Sequence, residues 1–214
     1  MKDIAIFGAG GFGKEVACII SKINEEKPTW NFIGFFDDGI VKGTQISHIG
    51  KVLGGMVEIN SYEKELNLVL AIGSPHSLKS VRERITNNNI SYPNIIHPSV
   101  RMTDKKSFKI GIGNIIQAYS SISCDVEIGN FNVVNGQVGI GHDDNIGNYN
   151  VIMPAVRISG EVTIGNENFF GVGSIVLQQI KIGDKIRLGA GSVLIRKPKD
   201  GYLYIGNPAQ RMQL

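Results

Sequence analysis

The sequence has few of the residues that mark redox, metal and membrane sites. Only 2 of its 214 residues are cysteine, Cys18 and Cys124, and their separation matches no metal-ligand or redox spacing. We interpret them as ordinary thiols of a reducing compartment. No window approaches the roughly 18 apolar residues of a membrane span, and the apolar stretch at residues 4–7 is too short for a signal peptide. We therefore expect a cytoplasmic location.

Excess charge and leucine are also scarce. The 22 basic and 19 acidic residues leave a net charge of +3, which is too mild to favour nucleic acid. The basic cluster Arg196, Lys197 and Lys199 is interpreted as solvated surface. Leucine (10) is outnumbered by isoleucine (32), and glycine reaches 27. Because β-branched isoleucine favours strands and leucine favours helices, this composition excludes a helical bundle and predicts short strands joined by tight turns.

The C-terminal half carries a six-residue repeat. Every sixth residue from Ile110 to Leu194 is large and apolar, and at every third of these positions from Ile110 to Ile182 the pair Ile-Gly recurs. Such a period fits neither a helix, at about 3.6 residues, nor an extended strand, at about 2. It fits a chain that turns a corner in every hexad and closes a three-sided coil with each return of the Ile-Gly pair. The repeat therefore predicts a hexapeptide parallel β-helix.

Asparagine recurs at the same interval as the Ile-Gly pair, at Asn114, Asn132, Asn150 and Asn168. Stacked amides can hydrogen-bond along such a prism, and asparagine tolerates left-handed corners. We interpret these asparagines as corner residues rather than as participants in chemistry.

Residues 1–92 lack the repeat and predict a small open α/β sheet. Strands are expected over 4–7, 32–36 and 68–72, with helices over 14–23 and 78–85. The segment Tyr92-Pro93 is the expected linker. The predicted organisation is an α/β domain over 1–92 and an all-β parallel β-helix over 93–214.

A glycine turn, Gly8-x-Gly10-x-x-Gly13, follows the first strand and opens the first helix. Glycines in this context let backbone N–H groups approach a phosphate at the helix N-terminus. Asp37 ends the next strand, where a carboxylate can bind ribose or base. A domain of this size is too small for a complete dinucleotide fold, so a nucleotide or nucleotide-sugar fits better. The alternative is a purely structural glycine turn.

His142 and Asp143 form the one histidine-bearing site within the repeat. A lone histidine is more often a surface or packing residue than a catalytic one. Here it interrupts a stretch of small residues, and the adjoining carboxylate can raise the basicity of the imidazole and hold one tautomer, as a general base requires. A zinc site would need about three histidine ligands, so no metal is expected.

Motifs along nearly the whole chain carry a resemblance to a known family. They are Gly8–Lys14, Gly34–Asp38, Ala71–Gly73, His97–Ser99, the repeat, His142-Asp143 and Gly206–Ala209. With them the sequence resembles bacterial sugar acyltransferases that join a Rossmann-like domain to a left-handed β-helix. The group includes N-acetyltransferases of UDP-4-amino-6-deoxy sugars, perosamine N-acetyltransferases and sialic-acid O-acetyltransferases. The resemblance implies the left-handed coil and a homotrimer.

The resemblance also assigns residues to roles. It makes His142 the general base and Asp143 the residue that raises its basicity. The residues implied to bind the nucleotide-sugar are Gly10, Gly11, Phe12, Asp37, Asp38, Gly73 and Asn135. Those implied to line an acetyl-CoA site between subunits are Val151, Gly160, Val172 and Ala190.

Two positions depart from the family pattern. Phe12 and Val151 stand where the family often has histidines, the second of which contacts the acetyl donor. We predict an acetyl-CoA-dependent N-acetyltransferase that acts on a nucleotide-linked 4-amino-6-deoxy sugar in bacterial glycan or polysaccharide synthesis. The alternatives are O-acetylation of a sugar of the sialic-acid type and non-catalytic binding of a nucleotide-sugar.

Overall fold

The structure, a computed structural model, describes residues 1–212 and divides the chain into two compact units, residues 1–98 and the residues from 99 onward. The elements of the first unit are β1 (Lys2–Phe7), α1 (Gly11–Glu26), β2 (Trp30–Phe36), β3 (Gln45–Ile46), β4 (Gly50–Gly54), α2 (Met56–Asn60), β5 (Leu66–Leu70), α3 (Pro75–Arg84), β6 (Ile90–Ser91) and β7 (Ile95–Ile96).

The first unit is built on a sheet with strand order β3-β4-β2-β1-β5-β6. Strand β1 pairs in parallel with both β2 and β5, so it is a central strand with β2 on one side and β5 on the other. The apolar side chains of β1, among them Ile4 and Ile6, are completely buried, and α1 buries Val16 and Ile20. This arrangement places the residues that follow β1, β2 and β5 at one edge of the sheet, where open α/β folds bind ligands.

The predicted strands and helices of this unit are present, with ends shifted by a few residues. The sequence analysis missed β3, β4, α2, β6 and β7. Strand β4 reads Gly-Lys-Val-Leu-Gly and α2 has only 5 residues. In β4 only the adjacent residues Val52 and Leu53 are large and apolar, so no alternation is visible, and α2 is too short to display a helical period.

Two-residue strands recur at six-residue intervals through most of the second unit. They are β8 (Arg101–Met102), β9 (Lys109–Ile110), β10 (Ile115–Ile116), β11 (Ser121–Ile122), β12 (Glu127–Ile128), β13 (Val133–Val134), β14 (Gly139–Ile140), β15 (Asn145–Ile146), β16 (Val151–Ile152), β17 (Arg157–Ile158), β18 (Thr163–Ile164), β19 (Phe169–Phe170), β20 (Ile175–Val176), β21 (Lys181–Ile182), β22 (Arg187–Leu188) and β23 (Val193–Leu194). The last two strands are β24 (Leu203–Ile205) and β25 (Gln210–Arg211).

These strands form three parallel faces. One face runs β10-β13-β16-β19-β22-β24, the second β8-β11-β14-β17-β20-β23 and the third β9-β12-β15-β18-β21. Each strand therefore pairs with its equivalent in the next coil, and the second residue of each strand lies inward. Every repeat position from Ile116 to Leu194 is buried, whereas Ile110, in the first coil, is partly exposed. The predicted hexapeptide β-helix is confirmed.

The corners of the coil adopt a left-handed backbone. Every sixth residue from Gly113 to Gly191 has a positive φ, between 54° and 70°, and eleven of these fourteen residues are not glycine. Each non-glycine corner residue incurs a steric cost in this conformation. The same corners also form regular backbone hydrogen bonds. The N–H of each corner residue from 131 onward donates to a carbonyl of the preceding coil, as Glu161 does to His142.

The recurring asparagines form a buried ladder rather than the corners themselves. Asn114, Asn132, Asn150 and Asn168 are each 0 % exposed and follow the left-handed residue directly. The Asn150 amide donates to Asn132 Oδ1 at 3.0 Å and to the Gly165 carbonyl at 2.9 Å. The predicted stacking is therefore correct and the predicted corner position is wrong by one residue, because the amide must point inward to meet the neighbouring coils.

None of the helices within residues 1–212 has the length and apolar character needed to cross a membrane.

Candidate active site

His142 and Asp143 form one corner of the β-helix. The imidazole Nδ1 lies 2.7 Å from Asp143 Oδ2, and both side chains are about half exposed. When Nδ1–H donates to this carboxylate, Nε2 carries the free lone pair of the neutral ring. Nε2 lies over Gly160 in the next coil, where a Cβ added to the glycine would come within 2.5 Å of it. Because Gly160 has no Cβ, the His142 ring can occupy this space.

The surroundings raise the pKa of His142. The main cause is the hydrogen bond with Asp143, and the negative charges of Asp143, Glu161 and Asp144 add to it, while partial burial opposes the rise. These groups stabilise the protonated ring, so the neutral ring is a stronger base than an ordinary histidine.

The sequence analysis missed a column of acidic residues at this corner. Asp125, Asp143 and Glu161 occupy the same left-handed position in three successive coils. Gln179 continues the column, and its Nε2 donates to Glu161 Oε2 at 3.2 Å. Their regular spacing, one residue in each coil, was the signal that could have found them.

Asp144 was missed as well. It is 1 % exposed, and its carboxylate accepts hydrogen bonds from the N–H groups of Gly141 and Val162. Burial raises the pKa of Asp144 to about 6 despite these two bonds.

The residues implied to bind acetyl-CoA lie in different places. Gly160 lies beneath His142, whereas Val172 and Ala190 lie in consecutive coils at another corner, where Gly191 N–H donates to the Val172 carbonyl. Val172 is 48 % exposed. Val151 is completely buried in β16, so its side chain offers no surface to a ligand in this chain.

Asn135 is 9 % exposed and its amide is already bonded. Its Oδ1 accepts from Gln117 Nε2 at 2.9 Å, and its Nδ2 donates to the Ile152 carbonyl at 2.9 Å. These two bonds fix the amide, and its oxygen keeps a second lone pair for the role implied for it near the acceptor sugar.

The glycines of the turn in the first unit are of two kinds: two are packed against backbone atoms and two are exposed. A Cβ on Gly13 would overlap the carbonyl oxygen of Gly8, and one on Gly8 would lie 2.7 Å from the Ala71 carbonyl oxygen. Gly10 and Gly11 are exposed and would meet nothing within 4 Å. Gly11 begins α1, which has neither a side-chain cap nor an acidic residue in its first turn among the described residues. Its first N–H groups therefore suit an anion.

Asp37 and Asp38 bind the protein's own backbone. Asp37 Oδ2 accepts from Ala9 N–H at 2.8 Å and thereby ties the end of β2 to the glycine turn. Asp38 Oδ1 accepts from Met56 N–H at 2.7 Å, and its Oδ2 pairs with Arg84 at 3.1 Å. These contacts give both residues a structural task that the motif did not predict.

Gly73 and Phe12 complete the predicted set. Gly73 is exposed, follows β5, and would meet nothing within 4 Å if it carried a Cβ. Phe12 is half-buried in the first turn of α1. The structure thus brings the glycine turn, Asp37, Asp38 and Gly73 to the carboxyl ends of three adjacent strands.

Within residues 1–212 no group of three or more His, Cys, Asp or Glu side chains could hold a metal ion.

Comparisons with known proteins agree with this architecture. Residues 3–89 match the model of the PglD N-terminal domain. No curated protein sequence matches the chain. The acetyltransferase domain of PglB from Neisseria gonorrhoeae is 25% identical, with a TM-score of 0.89, and the match covers 99% of this chain and 100% of that one.

A structure of the same PglB domain in complex with acetyl coenzyme A is 26% identical, covers 99% of both chains and has a TM-score of 0.87. PerB from Caulobacter crescentus, in complex with CoA and GDP-perosamine, is 26% identical, with a TM-score of 0.88, and the match covers 100% of this chain and 98% of that one. The predicted resemblance is confirmed, and with it the left-handed β-helix. So is the predicted enzyme class, an acyltransferase.

Proposed function

We propose that the protein transfers an acetyl group from acetyl-CoA to the amino group of a nucleotide-linked sugar of the 4-amino-6-deoxy class, in bacterial glycan or polysaccharide synthesis. One observation carries the proposal: His142 has its Nδ1 engaged by Asp143 and its Nε2 free over Gly160. The similarity to PerB, whose structure contains GDP-perosamine, supports the substrate class.

In this mechanism the sugar amine attacks the thioester carbonyl while His142 Nε2 accepts a proton from the nitrogen. Asp143 stabilises the imidazolium that forms, and its effect on the pKa of His142 has the sign that a base requires. The imidazolium then protonates the departing CoA thiolate. Protons balance without a covalent intermediate on the enzyme.

The tetrahedral intermediate needs a hydrogen-bond donor for its oxyanion. The Gly160 N–H belongs to the residue directly beneath the His142 ring and is our candidate for this role.

For the acceptor, we assign the nucleotide phosphates to the open N-terminus of α1. Gly10 and Gly11 leave room for phosphate oxygens at the backbone, and the uncapped N–H groups supply donors. Asp37 shapes this turn through its bond to the Ala9 N–H, whereas Asp38 holds the start of α2 through the Met56 N–H.

For the donor, we propose a groove between subunits of a homotrimer. Gly160 and the pair Val172 and Ala190 lie at different corners of the triangular coil, so one chain alone does not collect them in one groove. Neighbouring copies that place unlike corners side by side would do so.

Replacement of the proposed base tests the proposal. His142→Ala should lower kcat at least about 100-fold, because general-base assistance typically supplies between about 10² and 10⁴. Release of CoA is followed with a thiol reagent over a panel of UDP-, GDP-, dTDP- and CMP-linked amino sugars. His48→Ala, an exposed histidine of the first unit, is the matched control. Retention of activity by His142→Ala would refute the assignment.

The same panel decides the acceptor atom. Each amino sugar is paired with its 4-hydroxy analogue, and mass spectrometry of the products locates the acetyl group. We expect acetylation of the amine; transfer to the hydroxyl alone would establish an O-acetyltransferase, and no transfer to either would leave nucleotide-sugar binding as the function.

A further inference from the structure

A buried carboxylate that the mechanism above leaves unused lies next to the proposed base. One inward position of each hexad lies two residues before the repeat residue. From 114 to 192 this position is occupied by Asn, Ser, Val or Ile, except at Asp144, which is the one acidic residue there. Its equivalents in the neighbouring coils are Val126 and Val162, both 0 % exposed. Because burial of a carboxylate is costly, the charge at this position needs a reason.

The two carboxylate oxygens of Asp144 hold two different segments. Gly141 N–H, directly before His142, donates to Oδ2 at 2.9 Å, and Val162 N–H, in the next coil, donates to Oδ1 at 2.8 Å. The first bond closes the turn 141–144 around His142 and Asp143. The second ties that turn to the coil that contains Gly160.

We propose that Asp144 is a positioning residue for acetyl transfer, whose buried carboxylate holds the His142 turn against the coil of Gly160. The inference rests on the proposed function of His142. Asp144 itself need not touch either substrate.

An amide could not do the same. The asparagines at this inward position also accept from the N–H of their equivalent in the next coil, as Asn132 Oδ1 does from Asn150. The asparagines, however, use the second atom as a donor to a carbonyl, as Asn132 Nδ2 does to Gly147. Only a carboxylate can accept at both atoms. An asparagine at 144 would bring an NH₂ group against the N–H of either Gly141 or Val162.

The charges around the turn fit this role. The charges of His142 and Asp143 act on Asp144, the first favouring its ionised form and the second opposing it, and Glu161 acts on His142 from the next coil. With the pKa of Asp144 at about 6, the carboxylate is ionised at neutral pH. Its charge then adds to the basicity of His142.

Asp144→Asn and Asp144→Val test the inference, the second matching the valines of the neighbouring coils. We expect the plateau of kcat at high pH to fall at least about tenfold, because hydrogen bonds to a charged group are lost. The KM of both substrates should stay within twofold of that of the original protein. The acid limb of kcat/KM should also move to lower pH, because one negative charge near His142 is lost. Asn114→Val, which removes a buried acceptor elsewhere in the coil, controls for general destabilisation and should leave the plateau unchanged.

A second measurement does not depend on activity. Amide hydrogen exchange, followed by NMR, should become at least about tenfold faster at Gly141 or Val162 in Asp144→Asn, since a lost hydrogen bond exposes the amide. A plateau kcat within twofold of the original, or unchanged protection at both amides, would overturn the inference. If the unaltered protein acetylates no sugar, the proposed function fails, whereas the exchange experiment still decides whether the carboxylate holds the turn.

Discussion

The two units of the molecule differ in the groups available to a ligand, which are mainly backbone N–H groups in the first unit and side chains in the second. At the glycine turn of the α/β unit the open groups are backbone N–H groups of α1, while the carboxylates of Asp37 and Asp38 bind the protein's own backbone. In the β-helix most of the described backbone is engaged in bonds between coils, and apart from the Gly160 N–H proposed above the available groups are corner side chains such as His142. A site in the first unit is therefore found where backbone bonds are missing, and one in the second where a side chain breaks the repeat.

Glycine has different tasks in the two units, and this provides the sharpest test of the comparison. Gly13→Ala should lower the free energy of unfolding by about 3 kcal/mol, because its Cβ would overlap the Gly8 carbonyl oxygen and the turn would have to shift. Urea unfolding measures this loss. Gly11→Ala, whose Cβ meets nothing within 4 Å, should change stability by less than about 0.5 kcal/mol.

Gly11→Ala, which should have the smaller effect on stability, should have the larger effect on binding of a nucleotide-sugar. Gly11→Ala adds a methyl group where phosphate is proposed to approach, so it should reduce the thermal stabilisation given by a nucleotide-sugar while the fold remains intact. If Gly11→Ala bound the nucleotide-sugar as tightly as the original protein, the turn would be structural only, and the comparison of the two units would break down.

The glycine of the β-helix should affect catalysis rather than folding. A Cβ on Gly160 would come within 2.5 Å of His142 Nε2 and would push the ring away, without meeting a buried backbone atom as closely. Gly160→Ala should lower kcat about 100-fold, since misplacement of a catalytic group by about 1 Å can cost that much. Its melting temperature should stay within a few degrees.

Gly136→Ala controls for this substitution because Gly136 holds the same place in the preceding hexad as His142. Its nearest contact would be the Ala118 carbonyl oxygen at 3.3 Å, so we expect near-normal turnover. Equal losses in both variants would mean that the loss does not depend on the His142 ring, and would remove the special relation between Gly160 and His142.

How much the sequence could predict follows from the same contrast. The inward residues, the three faces and the His142-Asp143 corner were predictable because a strict period makes both the regular positions and the exceptions visible. In the α/β unit the glycine motif located the turn, because the residues on either side of it read as a strand and a helix.

The remaining features depend on contacts that no local pattern reports. The partners of Asp37 and Asp38 come from segments distant in the chain, such as Arg84, so the sequence could not show that these carboxylates are engaged. Asp144 reads as one more polar residue after Asp143, and only the coil geometry shows that it is buried. Eleven left-handed corners occupied by residues such as phenylalanine and glutamate also contradict ordinary backbone preference, since the stacking of coils overrides it.

The smallest predicted effect isolates charge from shape at the active corner. Asp143→Asn keeps a residue that tolerates the left-handed backbone, with φ at 58°, but removes the charge that raises the pKa of His142. The pKa of His142 should fall, so the acid limb of kcat/KM should move to lower pH, and kcat should drop about tenfold because the base is weaker. Asp125→Asn makes the same change at the equivalent corner of the preceding coil, where φ is 56°, and should leave the profile unchanged. An acid limb that stays in place in Asp143→Asn would mean that this carboxylate does not set the basicity of His142.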